Sequence, residues 1–468
     1  MCIDNKLPPD AEIYSAIGLN IEMASLPPLH SLSSKQVSYL AIRFAGHLTR
    51  NKSYPLNIFS NKAELQTNFY DLIVSARTGA AVIAKSESRK YWRRRLHYES
   101  DIARLNLEAT RKAVGGASAD AEHYASDTTL RKAREKRSGI QEYLKSKIMV
   151  NTRSGQSILL SELANQAATN RFNELYWVSK NFEAIASERG MGWLFLTYTA
   201  PPNYHPNPVK GKCSYDSSLG VKGSHSYILA AWARVRALLN KWGLKSGIDR
   251  YFGFRTAETH KDGSVHWHLL VFAAPGVTQL VIDASMEHFP HYGQMKVEIG
   301  DSNIGSASSY IFKYLAKGFD SSIVQRNTSA KDTEIDELRE LADLASIRNG
   351  ERVRAALQAM RVRQCQTFGV QNILTLIRSI NKIGEEEFMS LQGEVAAIVK
   401  THIWRNPQGL KYLLEHPELS TKQEGIAPVM LVKKEAKTGF GEKTYQVTGL
   451  KIGENIIQTQ GRFKIKKI

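Results

Sequence analysis

The run RYFGFRTAETHKDGSVHWHLLVFAAP, residues 250–275, constrains the fold more than any other. Two stretches rich in aromatic and aliphatic residues flank a Lys-Asp-Gly break, so the run reads as two strands joined by a tight turn. Side chains alternate between faces along a strand, which puts His266 and His268 on one side and Trp267 on the other. Two imidazoles at core-facing positions need a reason. They are either hydrogen-bonded core residues or ligands of a divalent cation. A hydrolase pattern of three alternating histidines fails, because the third position is Leu270.

The turn supplies the further ligand that the cation reading requires. If Asp262-Gly263 is a two-residue loop, Glu258 falls opposite Trp267, away from the histidines. If Lys261-Asp262-Gly263 is a three-residue loop with a left-handed Gly263, His260 pairs with Ser264 and Glu258 lies across from His266. Both registers suit the sequence. In the second, Glu258, His266 and His268 share one face and leave positions open for phosphate oxygens. His260 is the second candidate for the third ligand. Such a mixed site takes Mg²⁺ or Mn²⁺; structural zinc is disfavoured because no cysteine lies nearby.

The surroundings predict an α+β fold. Trp193–Thr199 reads as a strand stopped by Pro201-Pro202, and GQMKVEIG as another. Between them Ile228, Trp232, Val235, Leu239 and Trp242 step by four and three, a helix that covers the sheet and leaves Arg234, Arg236 and Lys241 outward. SASSYIFKYLAKG reads as a short helix begun by Ser306 or Ser308 and ended at Gly318. The expected organisation is an N-terminal region of unnamed role over 1–85, a helical region over 86–185 and an α+β core over 186–325. A second helical region follows over 326–400, then a basic β-rich tail over 401–468.

Charge narrows the partner. Lys plus Arg exceed Asp plus Glu by 63 − 45, or +18, across 468 residues. A balance that basic points to a polyanion. No apolar run approaches the roughly 18 residues of a membrane span and the N-terminus does not read as a signal peptide, so nucleic acid is favoured over membrane. Arg93, Arg94 and Arg95, with Arg234 and Arg236, are the candidate phosphate contacts. Cys2, Cys213 and Cys365 are scattered and form no CxxC pair, which suits a reducing compartment. No GxxxxGK[ST] loop is present.

Tyr310 and Tyr314 lie four apart, hence one above the other on a helix face, with Lys313 and Lys317 beside them. They are either packing residues or nucleophiles aimed at the cation. A phenol titrates near 10, so a metal and an ammonium group would be needed to favour the phenolate.

FLTYTAP, then HWH preceded by a carboxylate, then YIFKY resemble the three motifs of HUH endonucleases, which nick single-stranded DNA. The paired-tyrosine form and the segments RKYWRRRL, MGWLFLTYTAPPNYHP and RVRQCQTFGV resemble the bacteriophage replication gene A protein family, over roughly residues 85–380. Tyr198 and Cys365 depart from its usual residues, and neither is a proposed ligand or nucleophile. The resemblance implies an HUH core flanked by mainly helical regions, with Tyr310 or Tyr314 attacking a phosphodiester at a replication origin. The products are a 5′-phosphotyrosine link and a free 3′-OH that primes rolling-circle synthesis by a host DNA polymerase. Strand separation would fall to a host helicase, in the cytoplasm of a bacterial cell. The alternatives are an HUH relaxase or transposase, whose motif order fits less well, and a non-catalytic basic DNA-binding protein.

Overall fold

A computed structural model describes residues 26–50, 56–118, 120–152, 155–300, 306–316, 344–370, 373–422, 425–458 and 463–468. They divide into two compact units, Met1–Leu107 with Lys434–Gln446, and Glu108–Lys433 with Val447–Ile468. Among the described residues no helix is long and apolar enough to cross a membrane.

In the first unit the helix Ser34–Arg50 buries Val37, Leu40, Ala41, Phe44 and Leu48, a stripe at helical spacing. Beside it stands a sheet not anticipated from the sequence: β1 (Leu56–Phe59), β2 (Lys62–Gln66) and β3 (Ile73–Ala76), all antiparallel. Phe44 stacks on Phe69 at 4.0 Å, and Trp92 meets both rings edge-on. The Trp92 indole nitrogen donates to Ser86 O at 2.7 Å, so this buried ring keeps no polar atom unmatched.

The second unit begins with helix Asp127–Lys145, then β4 (Lys147–Asn151) and β5 (Ser157–Leu159). A long helix, Leu160–Glu188, leads into the central sheet. Its strands are β6 (Gly192–Thr199), β7 (Tyr251–Thr259), β8 (Val265–Ala273), β9 (Met295–Ile299) and β10 (Cys365–Phe368). They lie in the order β10-β7-β8-β6-β9, every neighbouring pair antiparallel. The fold class is α+β, as expected. β10 comes from a stretch expected to be helical, and it forms one edge of the sheet. The tail forms β11 (Val429–Lys437), β12 (Lys443–Ile452) and β13 (Asn455–Gln458), while β14 (Phe463–Lys467) returns to pair with β4.

The two faces of the central sheet follow from strand alternation. One face carries Phe195, Phe252, Phe254, Leu270 and Phe272 at one end, packed on Phe182 of the long helix with ring centroids 5.2 Å from Phe252 and 4.8 Å from Phe254. Full burial of each such ring is worth about 2 kcal/mol. Toward the other end the same face turns polar. The opposite face carries Leu196, Tyr198, Trp267 and Leu269 and is covered by helices Gly223–Lys241 and Val277–His288. There Tyr198, fully buried, stacks on Phe289 at 4.1 Å and shares a 2.6 Å hydrogen bond with Ser285. The expected stripe Ile228, Trp232, Val235 and Leu239 is buried, but Trp242, the residue that ends the helix, is 41% exposed.

Gly253 has no room for a side chain: a Cβ there would sit 1.9 Å from the Leu270 carbonyl oxygen. We expect Gly253→Ala to lose about 3 kcal/mol of unfolding free energy through overpacking, measured by urea denaturation. An unshifted midpoint would mean that β7 and β8 separate at no cost there.

Trp267 donates its indole proton to His225 Nδ1 at 3.1 Å. Burial, then the charges of Arg255 and Lys222, push His225 down to about 4. The unfolded chain therefore binds a proton between about 6.5 and 4 that the folded chain refuses, and stability falls as pH drops through that window. In His225→Gln, whose amide oxygen can accept the indole proton without titrating, the loss between pH 7 and pH 5 should shrink. Equal losses in both proteins would remove His225 as its source.

Candidate active site

The β7–β8 turn decides the composition of the site. Gly263 has φ +84°, its N–H donates to His260 O at 2.9 Å, and His260 N–H donates to Ser264 O at 2.7 Å. This is the three-residue loop, and it sets Glu258 directly across from His266, with Thr256 across from His268. The ligand-type atoms of Glu258, His266 and His268 all lie within 4.8 Å of one another, and the three residues are only 6–8% exposed. His260 stays outside this group; its ring lies against His266, centroids 4.0 Å apart.

The donor set fits a divalent cation. Two imidazole nitrogens bound at about 2.1 Å and at right angles lie roughly 3.0 Å apart, and His266 Nε2 and His268 Nε2 are 2.9 Å apart. The same spacing is a hydrogen bond when one ring carries a proton there. Glu258 Oε2 stands 3.9 Å from His268 Nε2 and would bring negative charge to a bound cation. His268 Nδ1 and Thr197 Oγ1, on β6, are 3.0 Å apart, which fixes the orientation of the ring from behind.

A second polar cluster holds the turn. His205, from the loop after β6, shares a 2.9 Å hydrogen bond through Nδ1 with Asp262 Oδ2. Ser264 Oγ donates to Asp262 Oδ1 at 2.6 Å and lies 2.9 Å from the same His205 nitrogen. Burial raises Asp262, but the His205 hydrogen bond and charge with the Ser264 hydroxyl outweigh it, and the carboxyl sits below its usual range. His260, beside His205 and His266, is pushed down to about 4 by burial and by the His205 charge.

The tyrosine helix, Ala307–Ala316, lies where the sheet face changes from apolar to polar. Its start is tied to the long helix: Glu183 accepts from Ser308 Oγ at 2.7 Å and from Ser308 N–H at 3.4 Å, an anion where the helix dipole favours one. The Tyr314 ring lies 4.1 Å from the His268 ring and 5.1 Å from Phe195. Tyr310, 6.3 Å from Tyr314 ring to ring, packs on Phe195 and Trp193, and its hydroxyl donates to Glu298 on β9. Burial and then the Glu258 and Glu298 charges push Tyr314 up to about 12; burial and the Glu298 hydrogen bond raise Tyr310 further. Both phenols hold their protons at neutral pH, and positive charge near Glu258 would oppose that. The Lys313 side chain and the whole of Lys317 and Gly318 lie outside the described residues, as does Cys2.

The arginines lie in both units. Arg93 and Arg94 are exposed on helix Arg89–Thr110, and Arg95 pairs with Glu99 at 2.6 Å. Arg234 and Arg236 point outward from helix Gly223–Lys241, which covers the sheet face opposite the histidines, so the fold does not bring them to the cluster. Sequence reasoning overlooked Thr197, His205, Asp262 and Glu298. Only Glu298 carried a signal, the Lys-x-Glu alternation of β9, which puts Lys296 and Glu298 on the histidine face.

Residues 67–322 match the family described as bacteriophage replication gene A protein. The chain is similar to the replication gene A protein of Escherichia phage 186, 29% identical over 337 residues that cover 68% of this chain and 46% of that protein. It is 28% identical to the replication protein of Haemophilus phage HP1, over 67% of this chain and 40% of that one. It is also 30% identical to a probable replication endonuclease from a prophage-like region of Escherichia coli O6:H1, over 60% of this chain and 34% of that protein. The chain thus spans less than half the length of these relatives. No solved structure matches it.

The His205–Asp262 bridge generates a prediction. Asp262→Ala should lower stability by about 3 kcal/mol, because it removes the buried carboxylate that ties the His205 ring and the Ser264 hydroxyl to the turn. His205→Ala should cost a similar amount, and the double mutant little more than either single mutant. Additive losses in denaturation would show that the two residues act apart.

Proposed function

Because the chain belongs to the bacteriophage replication gene A protein family, we propose that it is a replication initiation endonuclease that cuts single-stranded origin DNA by tyrosine attack. The observation that carries this reading is the convergence of Glu258, His266 and His268 beside Tyr314. The antiparallel sheet, with two histidines on a central strand and a tyrosine helix across it, supports assigning an HUH core. A non-catalytic DNA-binding protein has no use for two imidazoles and a carboxylate shielded together beneath a phenol.

In this mechanism Glu258, His266 and His268 would hold Mg²⁺ or Mn²⁺, which would supply Lewis-acid positive charge at the scissile phosphate. The Tyr314 oxygen attacks phosphorus. The bond from phosphorus to the 3′-oxygen breaks, the phenolic proton leaves for solvent, and the 3′-oxygen ends protonated as a free 3′-OH. One phosphoester bond is made for each one broken, so no nucleotide hydrolysis is needed. Thr197 keeps the His268 ring aligned. Tyr310, one helical turn away and tied to Glu298, serves the second cut, with the Glu298 carboxylate placed to take its proton. The released 3′-OH then attacks the first phosphotyrosine and closes a circle. Host helicase and polymerase complete the cycle in this reading.

The test is formation of a denaturation-resistant adduct between the protein and single-stranded origin DNA in Mn²⁺ or Mg²⁺. His266→Ala and His268→Ala should each lower adduct formation by at least a hundredfold while DNA affinity, set by many phosphate contacts, changes little. Tyr314→Phe should reduce the first cut more than Tyr310→Phe, and the double mutant should form no adduct. An adduct on neither tyrosine in the wild-type protein would overturn the mechanism.

A further inference from the structure

Outside the candidate active site, the described residues of the second unit enclose a cleft of about 1100 Å³ at the β10 edge of the sheet. Its walls are the long helix Leu160–Glu188 and the helix Ile373–Asn381, and its floor includes Cys365, Gln366 and Thr367 of β10. The volume exceeds the ~300–1,000 Å³ of a small-molecule pocket. Arg171, Arg363, Arg378 and Lys382 line it against one carboxylate, Glu174. Glu174 is bridged by Arg171 at 3.0 Å and by Arg378 at 2.7 Å, which leaves a positive excess of three.

The cleft continues. Asn170, Glu174 and Asn381 also line a second hollow of about 270 Å³, which adds Arg405 and the 38% exposed indole of Trp177. Cations spaced along a channel, amide groups between them and an exposed aromatic face suit a strand whose bases are unstacked. The floor is also rigid. Arg255, buried beneath the edge, donates to Arg363 O at 2.9 Å and to Gln366 Oε1 at 3.0 Å.

Strand register connects this channel to the candidate active site. Cys365 pairs with Thr256, and Thr256 pairs with His268, so the three share one row and one face. Two strand spacings separate Cys365 from His268, roughly 10 Å. We infer that this channel binds single-stranded DNA and leads it across the sheet edge to the Glu258–His266–His268 cluster. The inference rests on the nuclease reading for the direction of the strand, while binding itself does not.

The probe is fluorescein-labelled oligo-dT of roughly 20 nucleotides, longer than the ~4–16 that one such channel tracks. It is titrated into the full chain carrying Tyr310→Phe and Tyr314→Phe, so that no chemistry intervenes. Arg363 and Lys382 are exposed, and reversing both (Arg363→Glu with Lys382→Glu) should leave the fold intact by circular dichroism. Affinity should fall at least tenfold, and the slope of log K against log salt should shrink by about 1.4, or 0.7 for each lost phosphate contact. Trp177→Ala should weaken binding with the salt slope unchanged, as loss of stacking does. Unaltered affinity and slope in the charge-reversal variant would overturn the inference. So would duplex DNA competing as well as oligo-dT, since the channel would then be a general cationic surface. If these effects appear but the wild-type chain forms no adduct with any single-stranded DNA in Mn²⁺, the nuclease reading fails and the channel stands.

Discussion

The candidate site depends on one backbone torsion, the left-handed φ of Gly263. That torsion makes the β7–β8 connection a three-residue loop, and the loop sets the register of both strands. Register is unforgiving here, because side chains alternate and a shift of one residue moves every one of them to the other face. A slip would put Glu258 beneath helix Gly223–Lys241, away from His266 and His268. The His205–Asp262–Ser264 cluster counters it by tying the turn to the loop that leaves β6. A side chain other than glycine at position 263 would have to adopt an unfavourable backbone conformation before any contact were considered.

One sheet face carries the apolar core and the candidate site in succession. Along β8 the sequence passes from Phe272 and Leu270 to His268 and His266, and along β7 from Phe252 and Phe254 to Thr256 and Glu258. The apolar end pins the long helix; the polar end collects donors. Tyr310 and Tyr314 sit at the boundary, where Phe195 supports both rings. This explains how buried imidazoles are tolerated: the packing that orders them is made a few residues away on the same strands, and Thr197 and His205 answer polar groups that packing cannot.

Much of this was legible in the residues themselves, through period-two alternation and turn chemistry. The histidines' shared face and the tyrosines' four-residue spacing follow from local geometry. The register did not, since Gly263 suits either loop. The left-handed loop is held in place by a contact between residues 57 apart, His205 and Asp262, which no local rule reports. Glu298 escaped notice because one carboxylate in a short strand resembles any solvated position. β10 escaped because four residues, Cys-Gln-Thr-Phe, carry too little pattern to stand out between helices. Trp242 fitted the helical stripe but stops the helix, and its ring turns outward. The arginine clusters were read from charge alone, which locates no surface relative to a site.

The position of β10 in the chain bears on the order in which the molecule is built. β6, β7, β8 and β9 all lie between Gly192 and Ile299, so a ribosome releases them together, and the β7–β8 hairpin needs only neighbours in sequence. β10 emerges more than sixty residues later, and until then the outer edge of β7 has bare amides exposed to any passing strand. The Glu258–His266–His268 cluster can thus take shape on the nascent chain well before the sheet is sealed. The basic channel, bounded by β10 and the helix after it, is among the last parts of this unit to form.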